Sequence, residues 1–350
     1  MKGKSKVWQG LGLTVLAGML LAGCGNNGNN GNSGASGSVA PSSEGSASPS
    51  EALQKVTLVL DWTPNTNHTG LYVARDQGLW KKHGLDVEII LPPEAGASAL
   101  VANNTADFGV GAQESMILAR EQGLPLVSIA PIIQHNTSGF ASPVDKNIKE
   151  PKDFEGKSYG GWGSPAEQAV IESIMNVQQA DVGKVNFVSA GTADFFTAVK
   201  KGIDFEWIFY GWTGIEAELR NEPVNMVYLT DYSKQLDYYT PLLLTNEKLI
   251  QEKPELVRAF LAGASEGYQY AIDNPDAAAD LLIKAVPELN ADLVKASQKW
   301  LSPKYKDDAP RWGEQKREVW SGYGDWLSQN GLMKEGLNYD EMFTTEFLPK

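Results

Sequence analysis

Leu58-Val59-Leu60-Asp61-Trp62-Thr63-Pro64-Asn65-Thr66-Asn67-His68-Thr69-Gly70-Leu71-Tyr72-Val73-Ala74 carries the pattern that governs the rest of the chain. A short apolar run ends in a loop crowded with hydrogen-bonding side chains, and apolar residues at helical spacing follow. The spacing predicts a strand over 56–60 and a helix over 70–82. Similar apolar runs bounded by turn residues recur at 86–90, 107–110, 126–130, 159–162, 185–188 and 204–210. Helical patterns at 97–103, 114–122, 165–178, 193–201 and 214–220 alternate with them. Strand and helix alternating at this spacing is the signature of parallel α/β sheets.

Beyond Thr240-Pro241-Leu242-Leu243-Leu244 the pattern turns to helices only, with Pro254 at a helical start, Pro275 after it, and further helices over 290–300 and 312–327. Two α/β halves followed by a helical tail fit poorly into one sheet. The expected architecture is a two-lobed α/β body, the first lobe comprising 54–138 and 243–350 and the second 139–242. The chain would cross near 134–142 and return near 239–245. Ligands in such folds lie beyond the carboxyl ends of the strands, and a gap between lobes is a common pocket.

The amino-terminal end reads differently. Lys2, Lys4 and Lys6 precede an uncharged apolar stretch from 7 to 20, and Leu21-Ala22-Gly23-Cys24 follows. That is a secretory signal over 1–23, too short to span a bilayer, with Cys24 as the expected lipidated residue. Residues 24–53 are rich in Asn, Gly and Ser and have too little apolar surface to offset the entropy of ordering. This expected tether reaches roughly 30 Å as a flexible coil. It would hold the body at the extracytoplasmic face of a membrane. The formal charge of −13 disfavours nucleic acid or an anionic bilayer as an electrostatic partner. Cys24 is the sole cysteine, which excludes an intrachain disulfide and a cysteine-based cluster or nucleophile in the body.

Several motifs fail on inspection. Glu155-Gly156-Lys157-Ser158 lacks the earlier glycine of a phosphate loop, since Pro151 stands there. Gly263-Ala264-Ser265-Glu266-Gly267 resembles a nucleophile elbow but sits in a helical pattern. Gly109-Val110-Gly111-Ala112-Gln113-Glu114 opens like a dinucleotide fingerprint and then offers a carboxylate where a glycine belongs. His68, His83 and His135 are scattered, so neither metal nor other cofactor is expected.

Four strand ends combine flat rings with carboxylates and amides. The first offers Asp61, Trp62, Asn65 and His68, although the same residues suit an Asx-turn that caps the next helix. Glu114 follows the third strand and is equally placed to answer the dipole of its helix. Tyr159-Gly160-Gly161-Trp162-Gly163-Ser164-Pro165 passes from strand to helix, its glycines expected to let backbone approach a ligand and Trp162 to stack or to pack between lobes. In the strand over 204–210, Glu206 and Tyr210 share a face, while Trp207 and Phe209 on the other face are expected in the core. Glu206 could meet ligand, lysine or solvent. Trp212 follows the strand end. These residues describe a cleft for a small, flat, neutral or weakly basic molecule with donors to satisfy.

The run 58–74, together with Ile133-Gln134-His135-Asn136-Thr137-Ser138-Gly139-Phe140 and Trp207-Ile208-Phe209-Tyr210-Gly211-Trp212, resembles the thiamine-pyrimidine synthase-like binding proteins from about Lys55 onward. The resemblance implies the periplasmic-binding-protein fold of the second topological type. It implies a substrate-binding lipoprotein of a thiamine-salvage ABC importer, with permease and ATPase subunits as partners. Its cargo would be N-formyl-4-amino-5-aminomethyl-2-methylpyrimidine. Enzymes of similar sequence carry a lysine where Gly111 stands, a histidine where Ser115 stands and a cysteine-rich motif where Gln235-Leu236-Asp237-Tyr238-Tyr239 stands. Without those groups a pyrimidine synthase is disfavoured, and Tyr238 joins the expected ligand contacts. Riboflavin, another planar heterocycle, a sulfonate or nitrate would be the alternative cargo, the anions being disfavoured by the carboxylates.

Overall fold

The computed structural model describes residues 52–191 and 193–350. The signal segment, Cys24 and all of the tether except its last two residues lie outside them. Among the described residues ten strands form two five-stranded sheets. The first runs β2-β1-β3-β10-β4, from β1 (Gln54–Val59), β2 (Leu85–Ile90), β3 (Phe108–Gly111), β4 (Leu126–Pro131) and β10 (Leu242–Asn246). The second runs β7-β6-β8-β5-β9, from β5 (Ser138–Pro143), β6 (Ser158–Gly161), β7 (Asn186–Ser189), β8 (Phe205–Phe209) and β9 (Val224–Tyr228).

The sheets are not all parallel, which corrects the expectation from the alternating pattern. β1 pairs parallel with β2 and β3, and β6 with β7 and β8. β10 runs antiparallel to β3 and β4, and β5 antiparallel to β8 and β9. Each is the first strand after a crossover. A chain arriving at the carboxyl ends of parallel strands must run away from them, so the crossing strand enters the new sheet reversed. β5 and β9 escaped the sequence reading, and β10 was marked there only as a return segment. In β5, Ser-Gly-Phe-Ala-Ser-Pro holds no β-branched residue, and Gly139 is required because a Cβ there would strike the Val227 carbonyl.

The helix expected over 70–82 is broken into α1 (Thr69–Asp76) and α2 (Leu79–Lys82), with Gly78 between them at φ 66°. Helices α3 (Gly96–Ala102), α4 (Gln113–Glu121), α5 (Pro165–Val177), α6 (Phe195–Lys200) and α7 (Ile215–Leu219) follow the sequence pattern within a residue or two. The carboxyl-terminal half adds α8 (Glu247–Glu252), α9 (Pro254–Asp273), α10 (Pro275–Ala285), α11 (Ala291–Leu301) and α12 (Arg317–Gln329). Pro254 and Pro275 take first-turn positions, where a missing N–H costs nothing.

Helix α9 closes the first core. Phe260 stacks between Phe108 and Trp80, and the Trp80 indole donates to the Phe260 carbonyl at 2.8 Å. The elbow-like run 263–267 lies inside α9. There a Cβ on Gly263 would strike Trp80, and one on Gly267 would strike the Gly70 carbonyl. These glycines permit close helix packing. A second core gathers Phe140, Phe154, Tyr159 and Phe205 of the second sheet together with Trp320, Tyr323 and Trp326 of α12. Trp326 donates to Ser173 of α5 at 2.9 Å, so the terminal helix also grips the second sheet's layer.

Candidate functional site

A cavity of about 630 Å3 opens where both sheets end. The β1 loop supplies Asp61, Trp62 and Asn65, and the turn after β6 supplies Trp162. Strand β8 adds Glu206 and Trp207, and Asp194 enters from the start of α6. A π-helical turn over Tyr210–Gly214 contributes Trp212, and the crossovers contribute Thr137 and Thr240. Trp62 and Trp162 remain 60% and 57% exposed, so each sheet presents an indole face that the protein leaves uncovered. Large exposed aromatics beside a cavity mark stacking surfaces.

Glu206 is the polar centre of this cavity. It is only 7% exposed, and burial together with the neighbouring Asp194 charge, with no hydrogen bond from the described residues to offset them, pushes its carboxyl up to about 7. Gly160, on the adjacent strand, makes the room, because a Cβ there would come within 2.7 Å of Glu206 Oε1. Gly161 does the same for Glu167, which accepts from Tyr159 Oη, Trp162 N and Ser164 N. The glycines of this turn thus accommodate carboxylates of neighbouring elements, where the sequence suggested backbone approach to a ligand. Trp207 and Phe209, expected in the core, both line the cavity; Phe209 is 42% exposed, and the buried indole N–H of Trp207 has no acceptor.

The first loop is organised by His68, which is fully buried behind the cavity wall. Its Nδ1 accepts the Asn65 N–H at 3.2 Å, which places the ring proton on Nε2 for donation to Asp61 Oδ1 at 2.8 Å. His68 therefore orients Asp61. Asn65 lines the cavity but spends its side chain on the loop, accepting from Asn67 N and donating to the Thr63 carbonyl. The Asx-turn and the cavity wall are the same segment.

Four other expected contacts are not brought to this cavity. Ser164 caps α5, accepting from Ala166 N. Tyr210 turns outward to donate to Glu218. Tyr238 is buried and stacked on Tyr323 at 4.1 Å between centroids. Glu114 sits in the first turn of α4 near Tyr323, its carboxyl pushed up first by burial and then by the charge of Glu167. Sequence reasoning missed Asp194, whose place before Phe195-Phe196 is a helix N-cap signal.

One cluster has the composition of a metal site: His135, Asp307 and Asp308 place their ligand atoms within 4.8 Å of one another. Both ring nitrogens of His135 face carboxylates, Asp237 at 2.7 Å and Asp308 at 3.1 Å, which raise it to about 9.

Two open α/β sheets, two crossovers and a cavity beyond the carboxyl strand ends define a periplasmic-binding-protein fold. The periplasmic aliphatic sulphonate binding protein SsuA from Escherichia coli superposes with a TM-score of 0.65 at 14% identity, over 83% of this chain and 92% of that one. Residues 65–278 match the family described as NMT1/THI5 like, and the chain belongs to that family. A formylaminopyrimidine-binding protein from Halalkalibacterium halodurans is 25% identical over 88% of this chain and 94% of its own length. A 4-amino-5-hydroxymethyl-2-methylpyrimidine phosphate synthase from Legionella pneumophila is 23% identical over 86% of this chain and 94% of its own. Among the described residues no helix is long and apolar enough to cross a membrane.

Proposed function

We propose that this chain is the substrate-binding lipoprotein of an ABC importer and that its cargo is N-formyl-4-amino-5-aminomethyl-2-methylpyrimidine. Its lobes would be 54–138 with 243–350 and 139–242, the body tethered through lipidated Cys24 at the extracytoplasmic face. The observation that carries the reading is Glu206, a buried carboxylate with no hydrogen-bond partner among the described residues, opening into a cavity with indole faces from both sheets. A buried acceptor of this kind is satisfied by a ligand amino group, and the indoles favour a planar ring. The similarity to a formylaminopyrimidine-binding protein supports the same cargo.

The synthase reading is weaker on the residues themselves. Gly111 and Ser115 stand where such enzymes carry a lysine and a histidine, and the segment holding Leu236, Tyr238 and Tyr239 has no cysteine and is buried and packed. Native mass spectrometry of freshly purified protein, followed by calorimetric titration with the formylaminopyrimidine, tests the proposal. A bound mass matching that pyrimidine is expected. A flavin mass would reassign the cargo, and turnover of a bound pyridoxal compound would replace transport by catalysis.

A further inference from the structure

We propose that Asp194 sets the charge class of the cargo, making the cavity select unphosphorylated, donor-bearing rings and reject the same rings carrying a phosphate. The inference rests on the pyrimidine reading above and adds what the site excludes. Asp194 lines the cavity at the start of α6, where its Oδ1 accepts the Thr197 N–H at 3.1 Å and caps the helix.

The hydrogen bond from Thr197 holds the Asp194 carboxyl below its ordinary range, so it is ionised at neutral pH. Its charge acts directly on Glu206, and Asp61 adds a third carboxylate from the first sheet's loop. Among the described residues lining the cavity there is no lysine, arginine or histidine. Glu216, a further lining acid, binds the Arg220 guanidinium, which lies 4.0 Å from the centroid of the lining Phe196 ring without itself lining the cavity. A phosphate here would meet the like charges of Asp194 and Asp61 while that guanidinium is already paired with Glu216, whereas amino and ring N–H groups meet acceptors.

The test compares an aminopyrimidine alcohol, 4-amino-5-hydroxymethyl-2-methylpyrimidine, with its phosphate monoester by calorimetry on the parent and on Asp194→Asn. Asparagine can still cap α6, so the helix start is retained. The parent is expected to prefer the alcohol by about 100-fold or more, a ratio that falls roughly 10-fold in Asp194→Asn and again at low pH as carboxylates are neutralised. Equal binding of alcohol and ester by the parent would overturn the proposal while leaving the pyrimidine reading intact. So would an unchanged ratio in Asp194→Asn with native circular dichroism. Binding of neither compound, alongside tight binding of another ring, would remove the pyrimidine reading itself and this inference with it.

Discussion

Glu206 and Trp162 make separable contributions. Glu206→Gln keeps the shape of the side chain but replaces a charged acceptor with an amide that also brings donors. Losing most of a charged hydrogen bond, about 1.5–3 kcal/mol, corresponds to roughly 10- to 150-fold weaker pyrimidine binding by calorimetry. Trp162→Phe retains a stacking face and should cost under about 1 kcal/mol, with Trp162→Ala costing several times more. Binding indistinguishable from the parent in Glu206→Gln would remove this carboxylate from the contacts. Protonation gives an independent reading. Because the Glu206 carboxyl is raised to about 7, ionising it in the empty protein removes stability as pH climbs from 4.5 through 7. A ligand donating to the ionised form reverses the preference, so binding near pH 6 should release a proton. Calorimetry in buffers of different ionisation enthalpy counts that proton, and Glu206→Gln should abolish the release. In the sequence Glu206 stood beside Asp61 and Glu114 as a possible acceptor and suited a lysine pair or solvent as well. That Glu206 lines the cavity and Glu114 does not was not legible, because strand and helix pattern place each carboxylate at a strand end without saying which cavity it faces.

At the scale of elements, the crossovers are tied together by His135. It lies just before β5, bonds Asp237 in the segment returning toward β10, and reaches Asp308 beyond α11. Asn136 reinforces the join, its N–H bonding Asp237 and its side chain bonding the Leu236 carbonyl. The folded His135 is raised from 6.5 to about 9, chiefly by its hydrogen bond to Asp237. A raised histidine stabilises the fold fully below its unfolded value and loses that contribution as pH rises through the folded one. The melting temperature should therefore decline between about pH 6.5 and 9, and His135→Asn should flatten that slope. A parent curve that stays level across this range would show that the three segments hold without the imidazolium. The sequence marked 134–142 as a crossing, yet Asp237 and Asp308 lie 102 and 173 positions beyond His135. No local pattern connects groups so distant in the chain.

For the whole molecule, two sheets joined by two crossovers lead to the expectation of hinge closure around a ligand. Small-angle scattering should give a smaller radius of gyration at saturating pyrimidine, and an unchanged profile would argue for a rigid, preformed cavity. In cells, Cys24→Ser should abolish lipid labelling and leave precursor or released protein; persistent labelling would end the lipoprotein assignment. Sequence by itself determined the α/β class, the segments that become most strands and helices, and the aromatic and acidic strand ends at 61–68, 159–164 and 206–212. Those properties follow from local periodicity and turn chemistry, which each segment carries alone. Only the tertiary structure decided that β5 and β10 run antiparallel, that Glu206 lines the cavity while Glu114 does not, that Trp207 lines it too, and that Asp194 shares the same wall. Each of these depends on which distant segments meet. Contact between separated residues is set by packing and chain crossing, and short-range pattern does not encode it.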